Sequence, residues 1–221
     1  MEDREVEPCL SPTDKRKTFT KSKVVATEGP DEERFFPRLL SIVAPRLKEQ
    51  IQFINYCGKD KLEPFLCSIP TWTDFKLVTS LGVIIDADWE AEAFTRRFKK
   101  VQNALRQAGL PVPAKPAKPV VSKGLKVTIW IMPDNSSSGE FEDLCLKALA
   151  GHPFVPCLGP LENCVKQQKV KTGKGAKARL YTVLAWLDPP GRRVDQCNDA
   201  QISQMDLSVF DRIVRDFFSL L

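Results

Sequence analysis

Short apolar runs that alternate with helix-forming segments are the feature of this sequence that most constrains its fold. Four apolar runs are predicted to be strands, at residues 24–26, 51–57, 81–85 and 127–132. Helical spacing of apolar residues follows these runs, most clearly over Trp89 to Ala108. Alternation of this kind is typical of an α/β domain, so we predict a largely parallel central sheet of about four strands flanked by helices.

The composition changes along the chain and indicates three regions. Residues 1–22 are polar, mixed in charge and without periodicity, which predicts a flexible leader. Residues 23–150 carry the strand–helix alternation, with a Pro- and Lys-rich connector at 110–124. Residues 151–221 are expected to form a mainly helical C-terminal extension that packs on the same domain, ending in one amphipathic helix over 207–221.

The histidine and cysteine content excludes several classes of site. His152 is the only histidine, so a Ser-His-Asp triad is not expected and neither is a His-rich zinc site. None of the seven cysteines forms a C-x-x-C pair, which argues against a zinc ribbon. The apolar runs are far shorter than the roughly 20 residues of a membrane span, so no membrane association is expected. The free cysteines and the polar N-terminus predict a cytoplasmic protein.

Acidic residues follow three of the predicted strands. Glu28 comes after the first strand, Asp86 and Asp88 after the third, and Asp134 after the fourth. The carboxyl ends of parallel strands share one edge of a sheet, and residues two apart in extended chain point the same way. Carboxylates without His or Cys suit Mg²⁺ or Mn²⁺. The alternative is that these acids cap the helices that follow, and it is strongest for Asp134, which precedes a serine-rich turn.

These residues resemble those of the Toprim domain, which topoisomerases, bacterial primases, small RNA-processing nucleases and the overcoming-lysogenization-defect nucleases share. The resemblance rests on three features in order: an apolar strand, the pair Glu28-Gly29 that opens a helix, and a later strand that ends in Asp86-x-Asp88. The sequence most closely resembles the uncharacterised stand-alone Toprim-like proteins of bacteria and archaea. It has the strings EGPDEERFF, GKDKL, IIDAD, MPDN and GEFEDL in the expected order, over roughly residues 23–150.

The resemblance implies a Rossmann-like Toprim fold and a role for each acid. Glu28 would be the acid/base or metal-proximal glutamate, and Asp86 and Asp88 would be ligands of Mg²⁺ or Mn²⁺. Glu142 and Asp143 resemble the E-D pair that the nuclease relatives place near a second metal. Both are equally suited to stabilise the helix dipole as first-turn acids.

The sequence departs from the larger Toprim proteins in ways that narrow its function. Its two tyrosines, Tyr56 and Tyr181, are not accompanied by the further domain of topoisomerases. It has no zinc ribbon of the primase type and no G-x-x-x-x-G-K-[ST] ATPase motif. The chain therefore resembles a solitary metal-binding fold, with an ATPase or a defence-system component as a candidate partner.

Two stretches of the sequence are basic and free of acids. Residues 96–126 contain nine Lys or Arg, and residues 166–179 contain six, although the net charge is only +5. Such segments bind phosphate backbones through counterion release, or else form a solvated basic face and a flexible linker. The candidate phosphate- or nucleic-acid-binding residues are Lys59, Lys174, Lys177 and Arg179.

These features lead to a Mg²⁺-dependent, Toprim-like nuclease that cleaves phosphodiester bonds in DNA or RNA. A non-catalytic Toprim-like module that binds nucleic acid or regulates a partner protein is the alternative. A haloacid-dehalogenase-type phosphatase is disfavoured, because its D-x-D motif lies on the first core strand, whereas here two strands precede Asp86 and Trp89 follows the motif.

Overall fold

A five-stranded, mostly parallel sheet forms the centre of the fold. The computed structural model describes residues 18–90, 92–168, 175–191 and 193–221. The strands are β1 (Lys23–Thr27), β2 (Ile51–Asn55), β3 (Ser80–Asp86), β4 (Val120–Ser122) and β5 (Leu125–Met132). Their order is β2-β1-β3-β5-β4, and every pair is parallel except β4 with β5. The predicted α/β class with a largely parallel sheet is confirmed.

Helices cover both faces of this sheet. They are α1 (Pro30–Val43), α2 (Pro45–Gln50), α3 (Leu62–Ser68), α4 (Ala93–Gln107), α5 (Phe141–Ala148), α6 (Leu158–Gln167), α7 (Gly175–Trp186), α8 (Asp199–Ile202) and α9 (Asp211–Asp216). Short 3-10 helices lie at Ile69–Thr71, Thr73–Leu77, Val155–Cys157, Val194–Gln196, Leu207–Phe210 and Phe218–Leu220. None of the helices in the described ranges is long and apolar enough to cross a membrane.

The central strands are apolar on both sides because each side faces a separate core. On one side, Val25, Ile84 and Trp130 pack with α1, α5, α7 and the C-terminal segment. On the other side, Val83 and Ile129 pack with α3 and α4. Successive side chains of a strand point to opposite faces, so a strand between two cores needs a continuous apolar run.

The C-terminal segment lies against the sheet at Gly82 of β3. A Cβ atom at this position would lie 2.6 Å from Cζ of Phe217, so only a glycine permits the contact. Phe210, Phe217 and Phe218 are fully buried in the core that the segment closes. The end of the described chain is therefore part of the main core of the fold.

The prediction of one continuous helix over 207–221 is wrong. The segment consists of a 3-10 helix, α9 and a second 3-10 helix, with a break at Phe217 (φ −130°, ψ −65°). Phe217 and Phe218 are adjacent and both fully buried, whereas neighbours on a helix point about 100° apart. Leaving the helix allows both rings to enter the core.

The predicted connector at 110–124 contains the fifth strand, which the expectation of about four strands missed. Its residues Val120–Ser122 pair with β5 through a two-residue turn at Lys123 and Gly124, both with positive φ (49° and 81°). Two positive φ values are the mark of the hairpin turn whose twist matches paired strands. A three-residue strand is too short to produce a visible alternation in the sequence.

The expected leader, residues 1–22, falls largely outside the described residues. Within its described end, Phe19 is buried and contacts Trp72, with ring centroids 5.2 Å apart. The side chain of Gln52 accepts a hydrogen bond from the backbone N–H of Thr20 (2.8 Å). Phe19 and Thr20 therefore attach this end of the segment to the fold.

Candidate functional site

The acidic residues gather at the carboxyl edge of the sheet, where β1 and β3 lie side by side. Glu28 follows β1, and Asp86 is the last residue of β3. β1 has β2 on its other side, so the strand order reverses here, which is where open α/β sheets bind ligands. A pocket of about 520 Å³ opens at this point, and its charged lining residues are Glu28, Lys59, Asp60, Lys61, Asp86, Asp88, Glu140, Glu142 and Lys177.

Three carboxyl groups at this edge have raised pKa values, and of these Glu32 is buried while Glu28 and Asp86 are partly buried. Burial raises the pKa of Glu28, although a hydrogen bond from the Asp86 backbone and nearby cations oppose it. Burial, with repulsion from Glu28, Asp31 and Glu142, raises the pKa of Glu32 to about 8. Burial and the same kind of repulsion raise the pKa of Asp86 well above its usual range, against a hydrogen bond donated by the Phe141 N–H (2.9 Å). A bound cation would relieve this repulsion.

Lys177 connects α7 of the C-terminal part to this acidic edge. Its Nζ lies 2.8 Å from Oε1 of Glu142 and 3.5 Å from Oδ2 of Asp31. Burial would lower the pKa of Lys177, but the hydrogen bond and charge of Glu142 raise it above its ordinary value. The lysine side chain is half exposed, so it reaches the pocket as a charged group.

Asp88 has cationic partners and a distinctive backbone. Its carboxylate contacts Arg97 of α4 and lies 3.5 Å from Nζ of Lys59. Its φ is 66°, and its backbone exchanges two hydrogen bonds with Gly139, at 3.1 and 3.0 Å. Asp86 and Asp88 line the same pocket, but the chain departs from the extended conformation at Asp88. Asp86 faces other acids, whereas Asp88 faces cations.

The structure brings most of the predicted site residues together and leaves Asp134 apart. Glu28, Asp86, Asp88, Glu142, Lys59 and Lys177 all line the pocket. Asp134 instead accepts four hydrogen bonds of 2.7–3.0 Å from the backbone and hydroxyl groups of Ser136 and Ser137. Burial would raise the pKa of Asp134, but these bonds lower it. Asp134 closes its own turn and does not cap the following helix α5, whose capping residues are Glu140 and Asp143.

Asp143 and Arg179 do not line the pocket themselves, and each has a structural partner. Asp143 accepts a hydrogen bond from the backbone N–H of Glu140 (2.8 Å) and so caps α5. Arg179 pairs with Glu162, at 3.3 Å. Lys174 lies outside the described residues. Of the E-D pair, only Glu142 lines the pocket.

Sequence reasoning missed Glu32 as a member of the acidic site. It treated Asp31, Glu32 and Glu33 as first-turn acids of α1, yet Glu32 is 4% exposed and lines a cavity of about 250 Å³ with Glu28 and Asp86. The available signal is spacing, because Glu32 follows Glu28 by four residues across a strand–helix junction. The first turn of α1 thus faces back toward the end of its own strand.

The donors at this edge suit a hard divalent cation. Glu28, Glu32 and Asp86 supply only carboxylate oxygens, which Mg²⁺ and Mn²⁺ prefer. With the side chains as they stand, no group of three or more His, Cys, Asp or Glu residues in the described ranges is arranged to hold a metal ion. Binding would therefore require side-chain movement, and Glu28, Glu32 and Asp86 are the residues that could hold the ion.

Comparisons with known proteins place the chain in a family. Among solved structures, it resembles the C-terminal region of the Burkholderia pseudomallei OLD protein at 14% identity, covering 91% of this chain and 86% of that chain with a TM-score of 0.38. The C-terminal region of the Xanthomonas campestris pv. campestris OLD protein is 16% identical, with coverage of 91% and 98% and a TM-score of 0.40. None of the curated proteins matches the chain. The model of the family described as "Protein of unknown function (DUF3226)" matches residues 22–221, and the chain belongs to that family.

Proposed function

We propose that this protein is a Mg²⁺- or Mn²⁺-dependent phosphodiesterase that cleaves nucleic acid at the acidic pocket. The observation that carries the proposal is a group of three carboxyls, the buried Glu32 and the partly buried Glu28 and Asp86. Desolvation raises the pKa of all three, and repulsion between acids adds to it for Glu32 and Asp86. Buried like charges are unfavourable unless a cation or protons compensate them. The resemblance of Glu28-Gly29 and Asp86-x-Asp88 to the Toprim domain supports the same chemistry.

The cation would be held by Asp86, Glu28 and Glu32. When bound, a divalent cation polarises a phosphoryl oxygen and lowers the pKa of water. Desolvation raises the pKa of Glu28, which suits a group that carries a proton during cleavage. Arg97 fixes the carboxylate of Asp88 at the rim, so Asp88 positions the loop beside the reacting phosphate.

Lysines around the pocket would bind the phosphate groups of the substrate. Lys59 and Lys177 are about half exposed, at 47% and 53%, and both line the pocket. Lys61 lies on the same side and is exposed. Flexible ammonium groups at the mouth and acids at the floor suit a substrate that is itself a polyanion.

Cleavage by an Asp86→Asn variant tests the proposal. Labelled single-stranded and duplex DNA and RNA would be incubated with Mg²⁺ or Mn²⁺, and initial rates would be compared between wild type and variant. We expect Asp86→Asn to lower the rate about 100-fold or more, the scale of losing one electrostatic group at a transition state. Asp211→Asn, which changes an exposed acid of α9, is the matched control and should keep the wild-type rate.

Two results would count against the assignment. Cleavage that survives Asp86→Asn undiminished would show that this pocket is not where the bond breaks. Titration calorimetry would measure Mn²⁺ binding to the wild type and to Asp86→Asn. Equal affinities would show that Asp86 does not hold the cation.

A second candidate function is a non-catalytic module that binds nucleic acid or regulates a partner such as an ATPase or a defence-system component. The ion pairs favour it, because Asp88 contacts Arg97 and Lys59 while Glu142 contacts Lys177. These cations compensate part of the acidic edge without a metal. Nucleic-acid binding that is equally tight in EDTA and in Mg²⁺, with no cleavage, would support this function, and binding that requires Mg²⁺ would contradict it.

A further inference from the structure

An exposed tryptophan and a basic helix face lie beside the acidic pocket. We propose that Trp89, Arg96, Lys99 and Lys100 form a track that guides single-stranded nucleic acid into the pocket; we call these four residues the α4 track. The inference rests on the proposed function in that it names the form of nucleic acid used at the same pocket.

Trp89 presents its ring to solvent. The residue is 61% exposed, the highest value among the exposed aromatic residues of the described chain. The other exposed tryptophan, Trp186, is 40% exposed and packs against Phe154 with ring centroids 5.6 Å apart. An unpaired base can stack on an indole of this kind whatever its sequence, because every base has a π face.

The backbone that carries Trp89 is fixed at the rim of the pocket. Trp89 directly follows Asp88, which lines the pocket and exchanges two backbone hydrogen bonds with Gly139. The Asp88 carboxylate is held in addition by Arg97 and Lys59. An aromatic side chain on a fixed support loses little freedom when a base stacks on it, which favours binding.

A groove of about 510 Å³ runs along α4. Its lining residues are Glu63, Glu92, Thr95, Arg96, Lys99, Lys100, Asn103 and Gln107. Arg96 contacts Glu90, the residue after Trp89. Lys100 lies 3.5 Å from Asp60, which lines the acidic pocket. The groove and the pocket are therefore neighbours that share one ion pair.

The charge of α4 fits a phosphate backbone. The helix contains five basic residues and no acid, and Arg96 and Lys99 are exposed on it. Glu63 of α3 and Glu92, the residue before α4, also line the groove, so the attraction comes from the basic side chains of the helix. Successive phosphates of a strand laid along α4 would displace counterions from these side chains.

The shape of the pocket favours a single strand over a duplex. Asp86 is only partly exposed, and the volume of about 520 Å³ is in the range of small-ligand pockets. A single strand can lower one phosphate into such a pocket and place an unpaired base on Trp89. In a duplex the base faces are stacked on each other, so only its phosphates remain available to the α4 track.

Binding of a labelled oligothymidylate and of a duplex of equal length, measured by fluorescence anisotropy in EDTA, tests the track. We expect Trp89→Ala to weaken binding of the single strand about ten-fold and that of the duplex less than two-fold, as for the loss of one stacked base. Trp89→Phe should retain most of the affinity, because it retains a ring. Trp186→Ala is the matched control for the loss of an exposed tryptophan and should bind like the wild type.

A salt titration tests the basic part of the track separately. Lys99→Gln should reduce the slope of log K against log salt by about 0.7, the value for one phosphate contact on a single strand. Lys76→Gln removes an exposed lysine outside the track and should leave the slope unchanged. Thermal unfolding of each variant would establish that the fold is intact.

The possible outcomes separate this inference from the proposed function. Equal weakening of single strand and duplex by Trp89→Ala, no weakening at all, or no binding of the wild type would each overturn the track. Cleavage is measured in a different assay, with metal present. The expected binding pattern without any cleavage would therefore refute only the phosphodiesterase, whereas cleavage without a Trp89 effect on binding would refute only the track.

Discussion

Glu32 has acidic neighbours on several sides and almost no contact with solvent. Its pKa is about 8, against an ordinary value of 4.5. The folded protein therefore keeps a proton on Glu32 at pH values where the unfolded chain releases it. In this range the unfolded state binds fewer protons, so the free energy of unfolding decreases as the pH rises from about 4.5 to about 8.

A Glu32→Gln variant should lack this part of the pH dependence, because its side chain is neutral at every pH. We expect the free energy of unfolding of the wild type to fall relative to the variant by about 3 kcal/mol between pH 5.5 and pH 8. Urea denaturation at several pH values measures it. Glu49→Gln, an exposed glutamate of α2 at the opposite edge of the sheet, is the control. Stability curves of wild type and Glu32→Gln that run parallel would contradict the buried, proton-binding state of Glu32.

For single residues, the sequence predicts where a side chain lies in the fold better than it predicts which other side chains it contacts. The rule that parallel strands end at one edge places Glu28 and Asp86 beside each other, and the structure agrees. Of the cations that contact Asp88, Arg97 lies on α4 nine residues later, and Lys59 lies in the loop after β2, 29 residues earlier. Contacts of this kind depend on how helices settle on the sheet, and no local pattern encodes them.

Among the elements, α5 depends on a side-chain cap at its first turn. Asp143 accepts a hydrogen bond from the Glu140 N–H, which lies at the start of the helix. We expect Asp143→Ala to lower the free energy of unfolding by about 1 kcal/mol, the usual cost of losing such a cap. Asp143→Asn keeps an acceptor and should lose less, and urea denaturation of both variants measures the difference.

The same two variants separate a cap from a metal ligand. With its structural role alone, Asp143→Asn should leave Mn²⁺ binding and any cleavage close to the wild-type level, in contrast to Asp86→Asn. A loss of Mn²⁺ affinity in Asp143→Asn as large as that in Asp86→Asn would show that Asp143 is also a metal ligand.

Elements with strong periodicity were predictable, and those set by long-range packing were not. α1 begins at Pro30 with three acids in its first turn, and α4 ends just before Gly109, as the sequence indicated. The C-terminal segment has helical spacing, but it leaves the helix at Phe217 because two adjacent phenylalanines enter one core. That outcome depends on Gly82, more than 130 residues earlier.

For the whole molecule, the contact between Gly82 and Phe217 joins the C-terminal segment to the centre of the sheet. Gly82→Ala would place a methyl group 2.6 Å from the Phe217 ring. We expect it to lower the free energy of unfolding by about 1–3 kcal/mol, as for overpacking of a tight core. Gly151→Ala is the matched control, because a Cβ there meets nothing within 4 Å.

A double variant tests whether the contact itself is responsible. Phe217→Leu shortens the side chain that opposes Gly82, so it should offset part of the loss when combined with Gly82→Ala. A coupling energy near zero in this double-mutant cycle, measured by urea denaturation, would show that the segment is not packed on β3 as described.

The backbone hydrogen bonds between Asp88 and Gly139 set the shape of the acidic edge without involving its charged groups. Both hydrogen bonds of the pair run between main-chain groups, so neither uses a carboxylate. Gly139 has a φ of 139°, a conformation that other residues rarely adopt, whereas Asp88 has a φ of 66° that asparagine also tolerates. The main-chain geometry of the rim therefore does not depend on its carboxylates, and each charged side chain can be substituted without changing that geometry.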